Sequence, residues 1–139
     1  MDKLRIGIIG FGTVGKGVYQ ILKGEKDTHP ILKKIEIANI VVKNISMRRE
    51  VYVEKNLLIN DPNKLIDDPS IDVIVEVMGG TDIAKNIILK SLRNGKSVVT
   101  ANKAVMARYG EEIHKVALKN SAYILFEAAV CGGIPIIEP

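Results

Sequence analysis

The stretch Ile6-Gly7-Ile8-Ile9-Gly10-Phe11-Gly12-Thr13-Val14-Gly15 decides how the rest of this 139-residue chain is read. Residues 4–9 are a short, nearly all-apolar run, the pattern of a central parallel strand covered on both faces. Three glycines spaced G-x-G-x-x-G follow at once, and a helical pattern begins there. In such a turn Gly10 allows the sharp bend, Gly12 lets the backbone approach a pyrophosphate, and Gly15 lets the new helix pack closely on the strand it has left. The unpaired N–H groups at the helix start then face the phosphates. Three glycines in six residues also occur in ordinary loops, so the strand before and the helix after are what favour a nucleotide cradle over a structural turn. Val14, Val18, Ile21 and Leu22, at i, i+4, i+7 and i+8, are expected to form the buried face of that helix.

The length suits one compact domain, residues 1–139, with a core of its own. A composition of 47% hydrophobic and 26% charged residues is that of a globular chain, and no apolar run approaches the roughly 18 residues of a membrane helix. No secretory pattern opens the sequence, and the single cysteine, Cys131, cannot form an internal disulfide, in keeping with a reducing cytoplasm. The net charge of +4 is uneven: residues 1–60 hold 11 Lys/Arg against 6 Asp/Glu, while residues 61–139 hold 9 against 10. Aromatic residues are only 4% and the lysines are interleaved with acids, so a solvated face with a few anion-binding positions is expected, with neither nucleic acid nor membrane as partner.

In chain order, the first helix fades at Gly24 and a polar link leads to Pro30. Residues 35–42 read as a second strand, whose end carries information. A site for NAD commonly has an acidic residue there, about 20 residues past the glycines, to bind the adenosine ribose hydroxyls. Here the sequence runs Val42-Lys43-Asn44, with Arg48 and Arg49 beyond, and cations at that place attract a 2′-phosphate and favour NADP. Solvated surface charges are the alternative. A short strand at 57–59, a brief helix opened by Asp61-Pro62, a strong strand at 72–78 closed by Gly79-Gly80, and a helix from Thr81-Asp82 with Ala84, Ile87, Ile88 and Leu92 on its apolar face follow. Residues 97–100 form another strand, 101–120 a helix with a break expected at Gly110, and 122–127 the last strand. Strands alternating with helices give an α/β fold, a doubly wound, mostly parallel sheet of the Rossmann dinucleotide-binding type. The apolar, glycine-rich tail stops without a capping element, and a cut near the start of a second, substrate-holding domain is expected.

Four segments now stand in order: Gly10 to Gly15; Glu76-Val77-Met78-Gly79-Gly80; Val98-Val99-Thr100-Ala101-Asn102-Lys103-Ala104; and Phe126-Glu127-Ala128-Ala129-Val130-Cys131-Gly132-Gly133-Ile134-Pro135-Ile136-Ile137. Together they resemble the nucleotide-binding half of homoserine dehydrogenase, over essentially the whole chain. The resemblance implies an oxidoreductase of threonine and methionine biosynthesis that interconverts L-homoserine and L-aspartate 4-semialdehyde with NADP or NAD, and that is homo-oligomeric at full length. It implies phosphate-loop contacts at Thr13 and Val14, basic positions flanking the adenosine ribose at Lys43 and Arg49, and a lysine near the nicotinamide and substrate end at Lys103. It also implies a sodium site made by Glu127 with the backbone carbonyls of Val130, Gly132 and Ile134; hard oxygen ligands on one loop suit such a cation.

Each position has a plainer reading. Lys103 could cap or screen a helix start, Glu127 could be satisfied by backbone N–H groups, and Gly79-Gly80 could serve only a tight turn beside the cofactor crevice. Cys131 departs from the small residue usual in the family and reads as a buried hydrophobe rather than a nucleophile. The carboxylates and the proton-shuttling lysine that the family carries in its substrate domain have no counterpart here, so no catalytic residue is assigned to this chain. A free-standing dinucleotide sensor without chemistry is the competing reading, to be told apart by whether the tail ends in a capped, polar element. Another amino-acid or semialdehyde reductase on the same fold is disfavoured by the last two segments.

Overall fold

A computed structural model describes residues 2–24 and 30–126. Six strands, β1 (Leu4–Ile9), β2 (Ile35–Val41), β3 (Leu58–Ile59), β4 (Val73–Glu76), β5 (Ser97–Thr100) and β6 (Ile124–Leu125), form one sheet in the order β3-β2-β1-β4-β5-β6. Every pair is parallel. The helices are α1 (Thr13–Lys23), α2 (Asn63–Ile66), α3 (Asp82–Arg93) and α4 (Lys103–Lys119). This is the doubly wound α/β architecture expected from the alternating pattern, with its topological switch between β1 and β4. Among the described residues no helix is long and apolar enough to cross a membrane.

Alternation along the strands divides the core. Ile6 and Ile8 of β1 join Ile37, Ile40, Val75 and Tyr19 on the α1 face. Ile9 joins Ile74, Ile88, Leu92, Val98 and Ile113 on the face covered by α2, α3 and α4. Burying each such side chain contributes about 1.5–3 kcal/mol, which explains why strands covered on both sides read as unbroken apolar runs. At the N-terminal ends of the strands Lys96, 4% exposed, donates its ammonium hydrogens to the carbonyls of Asp68 and Ile71. Burial pushes its pKa below the usual lysine value, against the opposing pull of Asp68, Asp72 and Asp67.

Several expectations are corrected. Val14 and Ile21 are exposed, and the inner face of α1 is instead Gly15 and Tyr19, with Val18 and Leu22 partly buried beside them. The stripe is set by the closest point of approach, Gly15, which a search for apolar side chains does not register. The helix α4 runs unbroken through Gly110, held by buried Val105, Ile113 and Ala117 on the same face; one interior glycine costs only about 1 kcal/mol. The fourth strand is shorter than 72–78, because its ladder ends where Glu76 meets Ile9 on one side and Thr100 on the other. The last strand is Ile124–Leu125 within the expected 122–127. The tail from 127 onward, with Cys131, the expected sodium ligands and the feature that separates enzyme from sensor, lies outside the described residues.

The close approach of α1 to β1 is testable. A methyl group on Gly15 would stand 2.5 Å from the Gly10 carbonyl oxygen, whereas one on Gly17, in the same helix, meets nothing within 4 Å. We expect Gly15→Ala to destabilise the fold by about 1–3 kcal/mol. Gly17→Ala should stabilise it by up to about 1 kcal/mol. Urea unfolding of both variants reads the two signs, and equal midpoints would contradict the packing described.

Candidate functional site: a crevice at the strand switch point

In an open parallel sheet the crevice opens at the carboxyl ends of the strands where their order reverses. Here β1 leads into Gly10, whose φ of +108° disfavours any side chain and whose added Cβ would lie 2.8 Å from the Met78 backbone. Its N–H donates to the Val41 carbonyl at 3.0 Å, and the Ile9 carbonyl accepts from Val77 N–H at 3.0 Å. The turn is thereby tied to the strands on both sides. Gly12 then caps α1 without any side-chain hydrogen bond, and a Cβ there would project into space empty to 4 Å. The first N–H groups of α1 are those a helix cannot satisfy internally.

Two hollows flank this turn and share Val77. One, of about 500 Å³, is lined by Gly10, Phe11, Gly12, Lys43 and Arg49, with Met78 and Ile83 opposite. The other, of about 360 Å³, is lined by Val14, Gly79, Ala101, Asn102 and Lys103. The structure therefore brings together around one crevice most of the residues singled out in the sequence. Thr13 is exposed at the first position of α1. Gly15 faces inward against Gly10, where the lack of a side chain lets α1 pack on the turn.

The cations differ in how they are held. Lys43 is exposed at the end of β2. Arg49 is half-buried, and its guanidinium donates to the carbonyls of Ile45 at 3.2 Å, Met47 at 2.9 Å and Asn44 at 2.6 Å. It staples its own loop, which an Asn44 side chain accepting from Ser46 N–H also turns. Lys103 is the first residue of α4, exposed, and the cap of that helix is Asn102, whose side-chain oxygen accepts from Val105 N–H at 3.1 Å. A cation at a helix N-terminus opposes the macrodipole, so Lys103 neither caps nor screens the helix it opens.

Sequence reasoning did not single out the polar side chains beneath the second hollow. Glu76 and Thr100, both fully buried, end neighbouring strands and are joined by a hydrogen bond from the Thr100 hydroxyl to the Glu76 carboxylate. Asn102 donates to the Gly80 carbonyl at 2.6 Å. The available signal was a polar residue at the carboxyl end of each of two strands whose preceding two residues are apolar. Gly79 and Gly80 both have positive φ, +80° and +76°, as a glycine-only turn requires. Among the described residues no group of three or more His, Cys, Asp or Glu is placed to hold a metal.

Comparison with known proteins agrees with this geometry. The family description "Homoserine dehydrogenase, NAD binding domain" matches residues 10–127. The chain is 43% identical over 136 residues to the homoserine dehydrogenase of Synechocystis sp., covering 98% of this chain and 31% of that protein. It is 42% identical over 140 residues to that of Bacillus subtilis, covering 99% and 32%. Among solved structures, a homoserine dehydrogenase from Thiobacillus denitrificans superposes with a TM-score of 0.82 at 35% identity, over 98% of this chain and 32% of that one. A hyperthermophilic archaeal homoserine dehydrogenase in complex with NADPH superposes with a TM-score of 0.74 at 28% identity, over 97% and 47%. The chain thus spans about a third of the length of the curated relatives it matches. With the six-stranded parallel sheet and the glycine turn at its switch point, these matches make the chain a member of the homoserine dehydrogenase family, in the part that forms the family's NAD-binding domain.

Proposed function

We propose that residues 1–139 are the dinucleotide-binding domain of an enzyme that interconverts L-homoserine and L-aspartate 4-semialdehyde, with the substrate-holding domain outside this chain. The observation that carries the reading is the pair of hollows meeting at Val77, with glycine backbone between them and cations at both ends. A pyrophosphate fits over Gly10, Gly12, Thr13 and Val14, where a Cβ on Gly12 would occupy the space left open. Lys43 and Arg49 serve the adenosine end, and Gly79 and Lys103 the nicotinamide end. When bound, the dinucleotide supplies the hydride chemistry, and this chain binds and orients it. Lys103 positions ligand and does not transfer the proton. Sodium held by Glu127, Val130, Gly132 and Ile134 belongs to the same reading on sequence grounds alone. So do a cytoplasmic location, supported by the single cysteine, and a homo-oligomeric full-length enzyme.

NADP is the preferred cofactor in this reading, since no acid ends β2 and two cations stand at that edge of the crevice. Titration of the chain, watching reduced-nicotinamide fluorescence, should give tighter binding of NADPH than of NADH; equal affinities count against the assignment. Lys43→Ala should narrow the preference by less than about tenfold, since exposed ion pairs contribute about 0–1 kcal/mol. Arg49→Ala should narrow it more and weaken both cofactors, because it also removes the bonds that hold the 44–49 loop.

A second test concerns turnover. The chain alone should bind cofactor yet show no homoserine-dependent NADPH formation, since acid–base catalysis contributes roughly a factor of 100 to 10,000 and substrate positioning still more. The same chain extended by a family-type substrate domain should turn over. Activity from the short chain would make Lys103 the first suspect for acid–base work, and inactivity of a folded, extended chain would favour the sensor.

A further inference from the structure

Glu76 is fully buried, and among the described residues no Lys or Arg forms an ion pair with it. The three preceding residues of β4 are Val73, Ile74 and Val75, and an apolar side chain would complete that strand without the cost of taking a carboxyl group out of water. Both carboxyl oxygens instead accept. Oε1 takes Met78 N–H at 3.3 Å and Oε2 takes the Thr100 hydroxyl. The Thr100 oxygen in turn accepts from Asn102 N–H at 3.0 Å, and the Asn102 side chain donates to the Gly80 carbonyl at 2.6 Å. The chain of bonds begins at Met78 and returns to Gly80, so it grips both sides of a turn whose central glycines have positive φ and no contacts of their own within 4 Å of a built Cβ. It passes through Asn102, the residue before Lys103.

We propose that Glu76 is a positioning residue: through Thr100 and Asn102 it sets the spacing between the 78–80 turn and the start of α4, and thereby the affinity for the nicotinamide half of a dinucleotide. This rests on reading the crevice as a dinucleotide site. The adenosine half is assigned to the other hollow, whose lining includes neither Thr100 nor Asn102 and shares only Met78 with this chain of bonds. A carboxylate suits this place because Met78 N–H can only donate and the Thr100 hydroxyl, already accepting from Asn102 N–H, is left with its own hydrogen to give. A glutamine offers one acceptor and one donor: with its oxygen toward Met78 N–H its NH₂ faces the Thr100 oxygen, which must then reverse its role and leaves its own hydrogen without the carboxylate acceptor.

The test compares NADPH with adenosine 2′,5′-bisphosphate, which carries the adenosine end alone, on the whole chain. Thr100→Val keeps the side-chain shape and deletes the hydroxyl, and Thr100→Ser restores it. We expect Thr100→Val to weaken NADPH binding by about tenfold and shift the bound nicotinamide emission, while bisphosphate affinity stays within about twofold and Thr100→Ser recovers both. Glu76→Gln should also weaken NADPH binding, but because its partner Met78 lines the adenosine hollow, Thr100→Ala is the variant that replaces the valine if that does not fold; unchanged bisphosphate binding then reports a folded adenosine half. Equal loss for both ligands in the Thr100 variant, or full NADPH affinity in it and in Glu76→Gln, overturns the proposal while leaving the dinucleotide site intact. If the unmodified chain binds neither ligand, the reading of the crevice itself fails and the positioning role with it.

Discussion

The structure depends on one constraint, the meeting of three backbone segments at Gly10 with no room for a β-carbon. Gly10 turns at φ +108° against the backbone of Val77 and Met78, and Gly15 of α1 comes down over its carbonyl. A side chain at either place would push α1 outward or part β1 from β4. Because Gly10 N–H and the Ile9 carbonyl are already spent on Val41 and Val77, the turn is fixed to both neighbouring strands before α1 begins. The direction of α1, and with it the placing of its free N–H groups, follows from that fixing.

The two ends of the sheet are built on opposite plans. At the N-terminal ends the polar groups satisfy one another. Lys96 bonds the carbonyls of Asp68 and Ile71, and Arg5 N–H and the Asp72 carboxylate pair at 2.8 Å while Asp72 N–H returns to the Arg5 carbonyl at 2.8 Å. At the carboxyl ends the backbone is left facing a crevice, and the side chains that close strands there, Glu76 and Thr100, are buried beneath it. A closed lower end lets the upper end carry irregular loops, because the sheet's register is already held by its core and by those lower bonds. Loops on a rigid scaffold are where binding groups sit in such folds.

How much of this was legible in the sequence depended on which physical signal each feature leaves. Continuous apolar runs and glycine spacing gave the strands, their parallel arrangement and the crevice. The inner face of α1 was misread because its closest contact is a glycine, which leaves no hydrophobic mark at the periodic position. The expected break at Gly110 reflected local propensity, which the buried face of α4 outweighs. Lys43 and Arg49 were found as charges. That Arg49 spends donors on its own loop was not legible, because hydrogen bonding to carbonyls two to five residues away depends on the loop's path rather than on residue type. The Glu76–Thr100–Asn102 chain escaped for a similar reason: its members lie on β4, on β5 and at the cap of α4, and only the adjacency of the strands, Glu76 opposite Thr100, makes them a unit.

Charge placement around the crevice follows a single logic. Helix N-termini already favour anions, so a cation set at the same place does nothing for the helix and is tolerated only at some expense in stability. Lys103 sits at such a place, directly after a cap that Asn102 provides without it. Lys43 and Arg49 stand at the far edge, beyond the end of β2, where no acid offsets them within the lining of that hollow. Between the two groups of cations runs the uncharged glycine backbone of Gly10 and Gly12 with the N–H groups of α1. A pyrophosphate laid across that turn meets the N–H donors of the helix start, and the cations to either side add positive potential around it.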